Sequence, residues 1–469
     1  MKKKLVLLLS LVLMLSVVLF ACDPIRLSPV PSQSATVYGN GGSAVVKDNY
    51  LYFANAYIDM STIGINDNKY DAGSNQIDYA IYRTKLGEDG RLKLDEDGKP
   101  QNVELVTYNV GGYAYSGLYI CGEYLYYSTP YTVANSDGSK TTGLVRIERV
   151  KLDGTGREVV YSVSNFDSNS DYDIFYVDGV TYIVILDSSK NLSIVKCMGK
   201  NINKFLNVAS NVTGFKLYEQ QNISQSESLA DAYKYIYYTT NSGSTYSLYR
   251  KPFDLSEDAT RIDTSSSEIK LISVKNQRVY YIFESKIYST AFADGGFVRK
   301  LYSSVQTSES TSFTITQYLV LDDRNGLDTG VIGVYYDGTN YSFYVYNSNG
   351  TSLSISHNVA ITLLFVQNEE VYYQKSGDEA LYKISLSFPS LIPTASAETE
   401  VVSQFSMVGD DAKSRLDFDE DRIYVYATHN SSDLKYLTMY MRVNPYLDDD
   451  GNPTGHYVGI LSSADSSNS

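Results

Sequence analysis

The 469-residue chain has no Trp, three His, three Cys and ten Pro. Histidine supplies most acid–base chemistry near neutral pH and is the commonest metal ligand, so its scarcity limits both roles. His357, His429 and His456 are far apart and lack the HxxxH or HxxE spacing of zinc sites. No G-x-S-x-G nucleophile motif occurs either. The residues therefore predict no metal site, no cofactor and no catalytic group.

The chain is instead rich in residues of strands and turns, with 45 Tyr and 32 Gly. Hydrophobic residues make up 43% and charged residues 20%, fractions that argue against disorder and against a multi-span membrane protein. The formal net charge of −15 repels polyanions. We therefore expect no nucleic-acid partner.

The N-terminus has the pattern of an export signal. Lys2, Lys3 and Lys4 precede an apolar stretch from Leu5 to Phe20. As a helix this stretch would span roughly 24 Å, which is less than the hydrocarbon core of a bilayer at about 30 Å. A signal peptide over residues 1–21 is thus favoured over a permanent membrane span.

The end of the signal, Leu19-Phe20-Ala21-Cys22, resembles the lipobox of bacterial lipoproteins. In that family the Cys becomes the mature N-terminus and carries the lipid chains. The resemblance implies lipidation of Cys22 and a location on the extracytoplasmic face of a bacterial membrane, at the cell surface, held by the lipid anchor alone. The alternative is an ordinary secretory signal that ends in a Cys by accident.

The rest of the chain divides into a tether, a folded domain and a tail. Residues 22–37, the Cys and a stretch rich in Pro and Ser, predict a flexible tether. Residues 38–464 form the folded domain, and residues 465–469 a disordered tail. Cys121 and Cys197 lie in apolar, strand-like runs. They are interpreted as buried free thiols, with a disulfide between them as the alternative.

A short aromatic pattern repeats through the folded domain at intervals of roughly 50 residues. It predicts one strand of each unit, marked by Tyr52, Tyr126, Tyr182, Tyr237, Tyr280, Tyr335, Tyr372 and Tyr424. A partner strand follows each marker, as at Tyr82, Glu148, Val195, Tyr249, Tyr288, Tyr344, Tyr382 and Tyr440. Asp153-Gly154 after the second partner strand is a strong hairpin signal, because Gly adopts positive φ without steric cost.

These units predict four-stranded antiparallel meanders that are aromatic on both faces. Packing each meander between two others buries both faces. The fold class is therefore all-β, a single β-propeller of four-stranded antiparallel blades, with eight blades expected and seven as the alternative. Strands from both chain ends, Val37-Tyr38 and Ala44–Val46 on one side and His456–Leu461 on the other, are predicted to lie in the same or neighbouring blades and so close the ring.

The segment Val145–Arg157 resembles blades of the low-density lipoprotein receptor type, in which a YWTD strand precedes an Ile-x-Arg-x-x-Leu-Asp-Gly strand and turn. The chain is similar over roughly residues 38–464 to bacterial lipoproteins with such repeats. Tyr replaces the Trp of the motif here, at Tyr127 and Tyr238. The resemblance implies a propeller and no particular function. Propellers whose quinone cofactor depends on Trp are excluded.

The predicted function is a binding or scaffolding module for a protein or carbohydrate partner at the envelope. The alternative is a polysaccharide-acting hydrolase or lyase with two carboxylates in the propeller channel. Two acidic turns, Asp95–Gly98 and Asp448–Gly451, lack EF-hand spacing and are interpreted as solvated turns rather than Ca²⁺ sites.

The binding face is predicted from the two longest connections between second and third strands, which belong to the first two units. Such loops are also tolerated as insertions without a role. Their aromatic, amide and acidic residues are the candidate ligand-binding set: Tyr57, Asp59, Asn66, Asp67, Tyr70, Asp71, Tyr131, Asn135 and Asp137.

Overall fold

A computed structural model describes the parts of the folded domain that are given below. No helix in this part of the chain is long and apolar enough to cross a membrane. The described residues are 27, 37–39, 41–42, 44–54, 80–88, 90–93, 103–110, 117–162, 170–177, 179–198, 201–219, 234–275, 278–284, 286–291, 299–301, 314–321, 330–346, 352–367, 369–378, 380–389, 392–402, 417–419, 422–427, 437–447 and 453–462.

Strands are the regular secondary structure of the described residues. In chain order these are β1 Val37–Tyr38, β2 Ala44–Lys47, β3 Tyr50–Ala54, β4 Ala80–Lys85, β5 Glu104–Val110, β6 Tyr119–Cys121, β7 Tyr124–Ala134, β8 Lys140–Lys151, β9 Glu158–Ser162, β10 Asp171–Val177, β11 Val180–Leu186, β12 Leu192–Met198, β13 Asn201–Ala209, β14 Val212–Lys216, β15 Tyr235–Ser242, β16 Thr245–Pro252 and β17 Thr260–Ser265. They continue as β18 Lys270–Lys275, β19 Arg278–Phe283, β20 Lys286–Ala291, β21 Arg299–Leu301, β22 Thr314–Val320, β23 Val331–Tyr336, β24 Tyr341–Tyr346, β25 Ser352–His357, β26 Ile361–Gln367, β27 Glu370–Lys375, β28 Leu381–Ser387, β29 Thr394–Ala395, β30 Thr399–Val402, β31 Asp417–Asp419, β32 Arg422–Ala427, β33 Leu437–Leu447 and β34 Pro453–Ser462.

The strands pair into antiparallel sheets that follow one another along the chain. They are sheet 1 (β2–β5), sheet 2 (β6–β9 with β1 added to β6), sheet 3 (β10–β13), sheet 4 (β14–β17), sheet 5 (β18–β21), sheet 6 (β22–β25), sheet 7 (β26–β28 with β29 and β30) and sheet 8 (β31–β34). Each sheet is a meander of sequential strands, as the repeat predicts. The number of blades in a closed ring stays a prediction.

In four pairs of consecutive sheets the described first strands lie next to one another. β2 contacts β6, β14 contacts β18, β18 contacts β22 and β22 contacts β26. Tyr218, two residues after β14, forms a parallel bridge with Val274 in β18. The first strands thus surround a common axis and the fourth strands lie outermost. This arrangement confirms an all-β propeller of four-stranded antiparallel sheets.

The hydrophobic core lies between the sheets. One cluster joins sheets 1 and 2, a second joins sheets 2 and 3, and a third runs through sheets 3, 4 and 5. Two more join sheets 5 and 6 and sheets 6 and 7. Sheet 1 is buried on its other face too, through residues that include Phe53 and Tyr82. Both faces of a blade are therefore covered, as radial packing requires.

The marker tyrosines all lie on second strands, and the described marker side chains are buried. Tyr52, Tyr237 and Tyr280 have no measurable exposure, and Tyr126 and Tyr335 are 1% exposed. The prediction that these rings form the blade core is confirmed. An alternating strand places every second ring in the same layer between sheets, which explains the spacing within each strand.

The N-terminal strand does not join the C-terminal strand. Val37 and Tyr38 pair with Cys121 and Ile120 in sheet 2. Sheet 8 instead takes its four described strands from the last part of the chain, β31 to β34. The two chain ends were predicted to lie in the same or neighbouring blades. The first alternative is wrong for the described strands, because a local meander supplies every described strand of sheet 8. Whether the end sheets are neighbours stays a prediction.

Candidate functional site

The candidate residues of the first long connection lie outside the described residues. These are Tyr57, Asp59, Asn66, Asp67, Tyr70 and Asp71. The second connection is described, with Tyr131 in β7 and with Asn135 and Asp137 in the turn after it. The candidate site that the structure shows is therefore the one in sheet 2.

The second connection is a β-ribbon and not a loop, which corrects the prediction. β7 and β8 pair from Tyr124↔Lys151 out to Ala134↔Lys140. The β6 partners of β7 end at Tyr126, and the β9 partners of β8 end at Arg146. Beyond these points the two described strands pair with each other alone. About five residues of each strand, or roughly 16 Å, thus project from the blade.

The sequence of the ribbon suits a two-stranded extension. Thr132, Val133, Thr141 and Thr142 are β-branched and favour extended backbone. Pro130 lies in β7, where its missing N–H would interrupt a central strand, so it fits a strand whose other neighbour has ended. Among the described strands, none pairs with the long edges of the ribbon, whose backbone groups a further strand could therefore bind.

A buried ionic cluster fixes the base of the ribbon. Glu148 is 1% exposed and accepts a hydrogen bond of 2.8 Å from the Tyr127 hydroxyl. Its other carboxylate oxygen is 2.6 Å from an Arg146 nitrogen. A buried carboxylate is tolerated when it is paired and hydrogen-bonded in this way. The ribbon thus projects from a rigid base.

The tip of the ribbon is a compact exposed turn of residues 135–139. Asp137 accepts hydrogen bonds from the Ser139 hydroxyl at 2.6 Å and the Ser139 N–H at 2.9 Å, while the Asn135 amide donates to the Ser139 hydroxyl. Gly138 adopts a φ of 83°, which its missing Cβ permits. The hydrogen bonds from Ser139 hold the pKa of Asp137 below its usual value. The tip is therefore anionic and pre-shaped at neutral pH.

In three sheets, an arginine side chain stacks on a tyrosine ring. The repeat did not predict this contact. The guanidinium groups of Arg83, Arg149 and Arg250 lie 4.7, 4.1 and 4.5 Å from the ring centres of Tyr50, Tyr124 and Tyr235. The sequence signal is present, since each Arg is the cross-strand partner of a marker Tyr.

Two of these arginines also bind a carboxylate on the fourth strand of their own sheet. Arg83 donates to Glu104 at 2.8 Å and Arg149 donates to Glu158 at 2.7 Å. Both guanidiniums are almost completely buried, and stacking with charge pairing compensates that burial. Arg83 and Arg149 thus join the third and fourth strands of their sheets.

Several titratable side chains in the part of the chain that the structure describes contact other groups of the fold. His357 packs edge-on against Phe343 and Tyr373, and burial lowers its pKa, so it is neutral. Asp171 and Asp173 on β10 each accept a hydrogen bond from the N–H of the following residue. Among the described residues no cluster of three or more His, Cys, Asp or Glu could hold a metal ion. Asp95–Gly98 and Asp448–Gly451 lie outside the described residues.

The two described cysteines are buried free thiols, as predicted. They lie between sheets 2 and 3, where Cys121 Sγ is 3.3 Å from the Thr181 hydroxyl. Thr181 is in turn the cross-strand partner of Cys197. Burial raises the pKa of each thiol to about 11, so both are protonated and unreactive at neutral pH.

Comparison with protein-family models and with curated proteins gave no match. Among solved structures the chain resembles a prolyl endopeptidase at 10% identity over 88% of this chain and 55% of that one, with a TM-score of 0.41. A chain of a nidogen/laminin complex has 11% identity over 60% and 99% of the two chains, with a TM-score of 0.28. TolB from Acinetobacter baumannii has 13% identity over 55% and 61%, with a TM-score of 0.29.

These similarities are too distant to carry an argument. The propeller assignment rests on the strand pairing and the packing of this chain. Membership of a lipoprotein family with receptor-type repeats stays a prediction.

Proposed function

We propose that the protein is a lipid-anchored, extracytoplasmic binding module that captures a partner with the β7–β8 ribbon. The observation that carries this proposal is the projection of the ribbon beyond its blade, with exposed residues 135–139 at its tip. The outer residues of the ribbon extend past the described neighbouring strands of its own sheet. Binding of a partner would be the function of this extension.

The open edges favour a protein partner over a carbohydrate. An extended peptide can add to an exposed strand through backbone hydrogen bonds, while neighbouring side chains select its sequence. The anionic Asp137 at the tip would favour a peptide with basic residues nearby. Cys22 and its lipobox-like context supply the anchor of the proposal.

The test is a variant with a shortened ribbon. Pro130 and Val145 are cross-strand partners, so Asn-Gly can replace residues 131–144 and close the hairpin with a two-residue turn. Lipoprotein with and without the ribbon is cross-linked in intact cells, purified and analysed by mass spectrometry. We expect the cross-linked partner to disappear with the ribbon while membrane fractionation is unchanged.

A matched control comes from sheet 4, whose β15–β16 hairpin ends at Gly243 and Ser244 on the same face of the propeller. Replacing these two residues by Asn-Gly should leave the partner in place. Full capture by the shortened variant would refute the role of the ribbon. Loss of capture in both variants would show that the effect is not specific to the ribbon.

A further inference from the structure

The two faces of the propeller differ in which connections they carry. Because successive strands alternate in direction, the second-to-third connections of all sheets emerge on one face, which includes the ribbon tip and is called the ribbon face. The first-to-second and third-to-fourth connections emerge on the opposite face, called the turn face. Residues 152–157, which join β8 to β9, belong to the turn face.

The segment before the propeller is attached to the turn face. The N–H of Leu27 donates a hydrogen bond of 2.8 Å to the carbonyl of Asp153. The Leu27 side chain is partly buried against the core cluster between sheets 1 and 2, which includes Leu152. Leu27 falls within the stretch predicted to be a flexible tether, so the chain makes contact with the fold ten residues before β1 begins at Val37.

This attachment limits how far the anchor can lie from the turn face. Cys22 precedes Leu27 by five residues, and five extended residues span at most about 18 Å. Along β8, the 12 residues from Lys140 to Lys151 cover about 36 Å. A bilayer that touched the ribbon tip would place Asp153 beyond the reach of a lipid on Cys22. The chain length thus excludes the ribbon face from contact with the lipid and keeps the turn face within reach of the anchor.

The exposed apolar residues provide an independent observation. Among the described residues, the large hydrophobic side chains that are exposed are Val159, Met198 and Ile392, at 43%, 51% and 54%. Val159 is the second residue of β9, Met198 is the last residue of β12, and Ile392 lies between β28 and β29. These three positions all flank third-to-fourth connections and therefore lie on the turn face.

We propose that the turn face rests on the outer surface of the bilayer and that the ribbon face points away from it. This inference rests on the proposed lipid anchor. Val159, Met198 and Ile392 would contact the interface between headgroups and acyl chains, where exposed apolar surface is favourable. The acidic chain gains nothing from anionic headgroups, so the contact is apolar and does not depend on lipid charge.

The test uses two positions at opposite ends of β16 in sheet 4. Glu257 lies in the turn after β16, on the turn face, and Ser244 lies before β16, on the ribbon face; both are exposed. Full-length lipidated protein with Glu257→Cys or Ser244→Cys is labelled with an environment-sensitive fluorophore and placed in phosphatidylcholine vesicles. The buried Cys121 and Cys197 leave the introduced thiol as the reactive one.

We expect headgroup spin-labelled lipid to quench the fluorophore at Glu257 at least threefold more than the fluorophore at Ser244. Equal quenching, or stronger quenching at Ser244, would overturn the orientation. Inserting twenty Gly and Ser residues between Cys22 and Leu27 should bring the ratio towards one, because the longer linker removes the limit on reach.

The experiment distinguishes an error in the proposed lipid anchor from an error in the proposed orientation. If the protein with native Cys22 does not incorporate fatty acid, both the proposed anchor and the orientation inferred from it are wrong. If it is lipidated and bound to vesicles but both labels are quenched equally, the anchor stands and the orientation is wrong. A Cys22→Ala variant, which should leave both fluorophores unquenched, sets the baseline.

Discussion

The turns at the two ends of β8 have the same local chemistry and different surroundings. In the ribbon tip, Asp137 Oδ1 accepts from the Ser139 N–H at 2.9 Å and from its hydroxyl at 2.6 Å. In the opposite turn, Asp153 Oδ1 accepts from the Thr155 N–H and hydroxyl at the same two distances. An Asp two residues before Ser or Thr thus shapes both turns. The local motif alone cannot distinguish a binding tip from an anchoring point.

The surroundings make the distinction. The hydrogen bonds of Asp137 and Ser139 described above join residues of the ribbon tip to one another, whereas the turn at 152–157 is a junction of several chain segments. The Leu152 carbonyl accepts a hydrogen bond of 3.0 Å from Arg83 of sheet 1. The N–H of Leu152 donates to the backbone carbonyl of Glu123. The Asp153 carbonyl accepts from Leu27. One end of the strand is therefore exposed to partners, and the other connects sheets 1 and 2 to the N-terminal segment.

The largest effect is expected from breaking this junction. Arg83→Met removes the donor to Leu152, the ion pair with Glu104 and the stack on Tyr50, and leaves a buried carbonyl without its partner. We expect a loss of about 2 kcal/mol in the free energy of unfolding, measured by urea denaturation. Arg261→Met, at an exposed position of β17, should change it by less than about 0.5 kcal/mol. Similar losses of unfolding free energy in the two variants would contradict the stabilising role of the junction.

A smaller difference is expected between the two turn aspartates. Although partial burial opposes ionisation of Asp153, hydrogen bonds from Thr155 lower its pKa. Asp153→Asn should cost about 1 kcal/mol at pH 7. The exposed Asp137→Asn should not change the unfolding midpoint. An equal shift of the unfolding midpoint in both variants would show that the contacts around each turn do not affect its contribution to stability.

The pH dependence has a defined sign. Because the pKa of Asp153 is lower in the folded state, its contribution is fully present above the unfolded value of about 3.9 and is lost as the pH falls through the folded value. The stability difference between the wild type and Asp153→Asn should therefore narrow as the pH is lowered into that range. A difference that stays constant would assign the effect to geometry rather than to charge.

Removing the whole ribbon is also expected to have little effect on stability. Replacing residues 131–144 by Asn-Gly keeps the base formed by Tyr127, Arg146 and Glu148 and removes residues outside the blade. The melting temperature measured by calorimetry should change by less than about 2 °C. A larger drop would mean that the ribbon packs on the body of the propeller and is part of its fold.

The sequence was sufficient to predict the strands of the blades. Aromatic residues at period two, as in Tyr124-Leu125-Tyr126-Tyr127, indicate a buried strand. Asp153-Gly154 likewise marked a turn, because Gly154 takes a φ of 80°. Local patterns determine local pairing, so the meanders and their marker tyrosines could be placed correctly.

Other features depend on distant partners and could not be predicted. The ribbon was expected to be a loop because the connection is long, although the β-branched residues around Tyr131 were a usable signal for strands. The pairing of β1 with β6 joins residues far apart in sequence, which no local pattern encodes. A single Leu27 in a Pro-rich stretch also gives no sign that it contacts Asp153.

The most direct test of the account compares the two faces in living cells. A photo-cross-linking amino acid is placed at Ser136 in the ribbon tip or at Glu257 on the turn face of the full-length lipoprotein. We predict that Ser136 cross-links to a protein and that Glu257 cross-links to lipid. Cross-linking of Ser136 to lipid, or of both positions to the same protein, would contradict the assignment of one face to the membrane and the other to a partner.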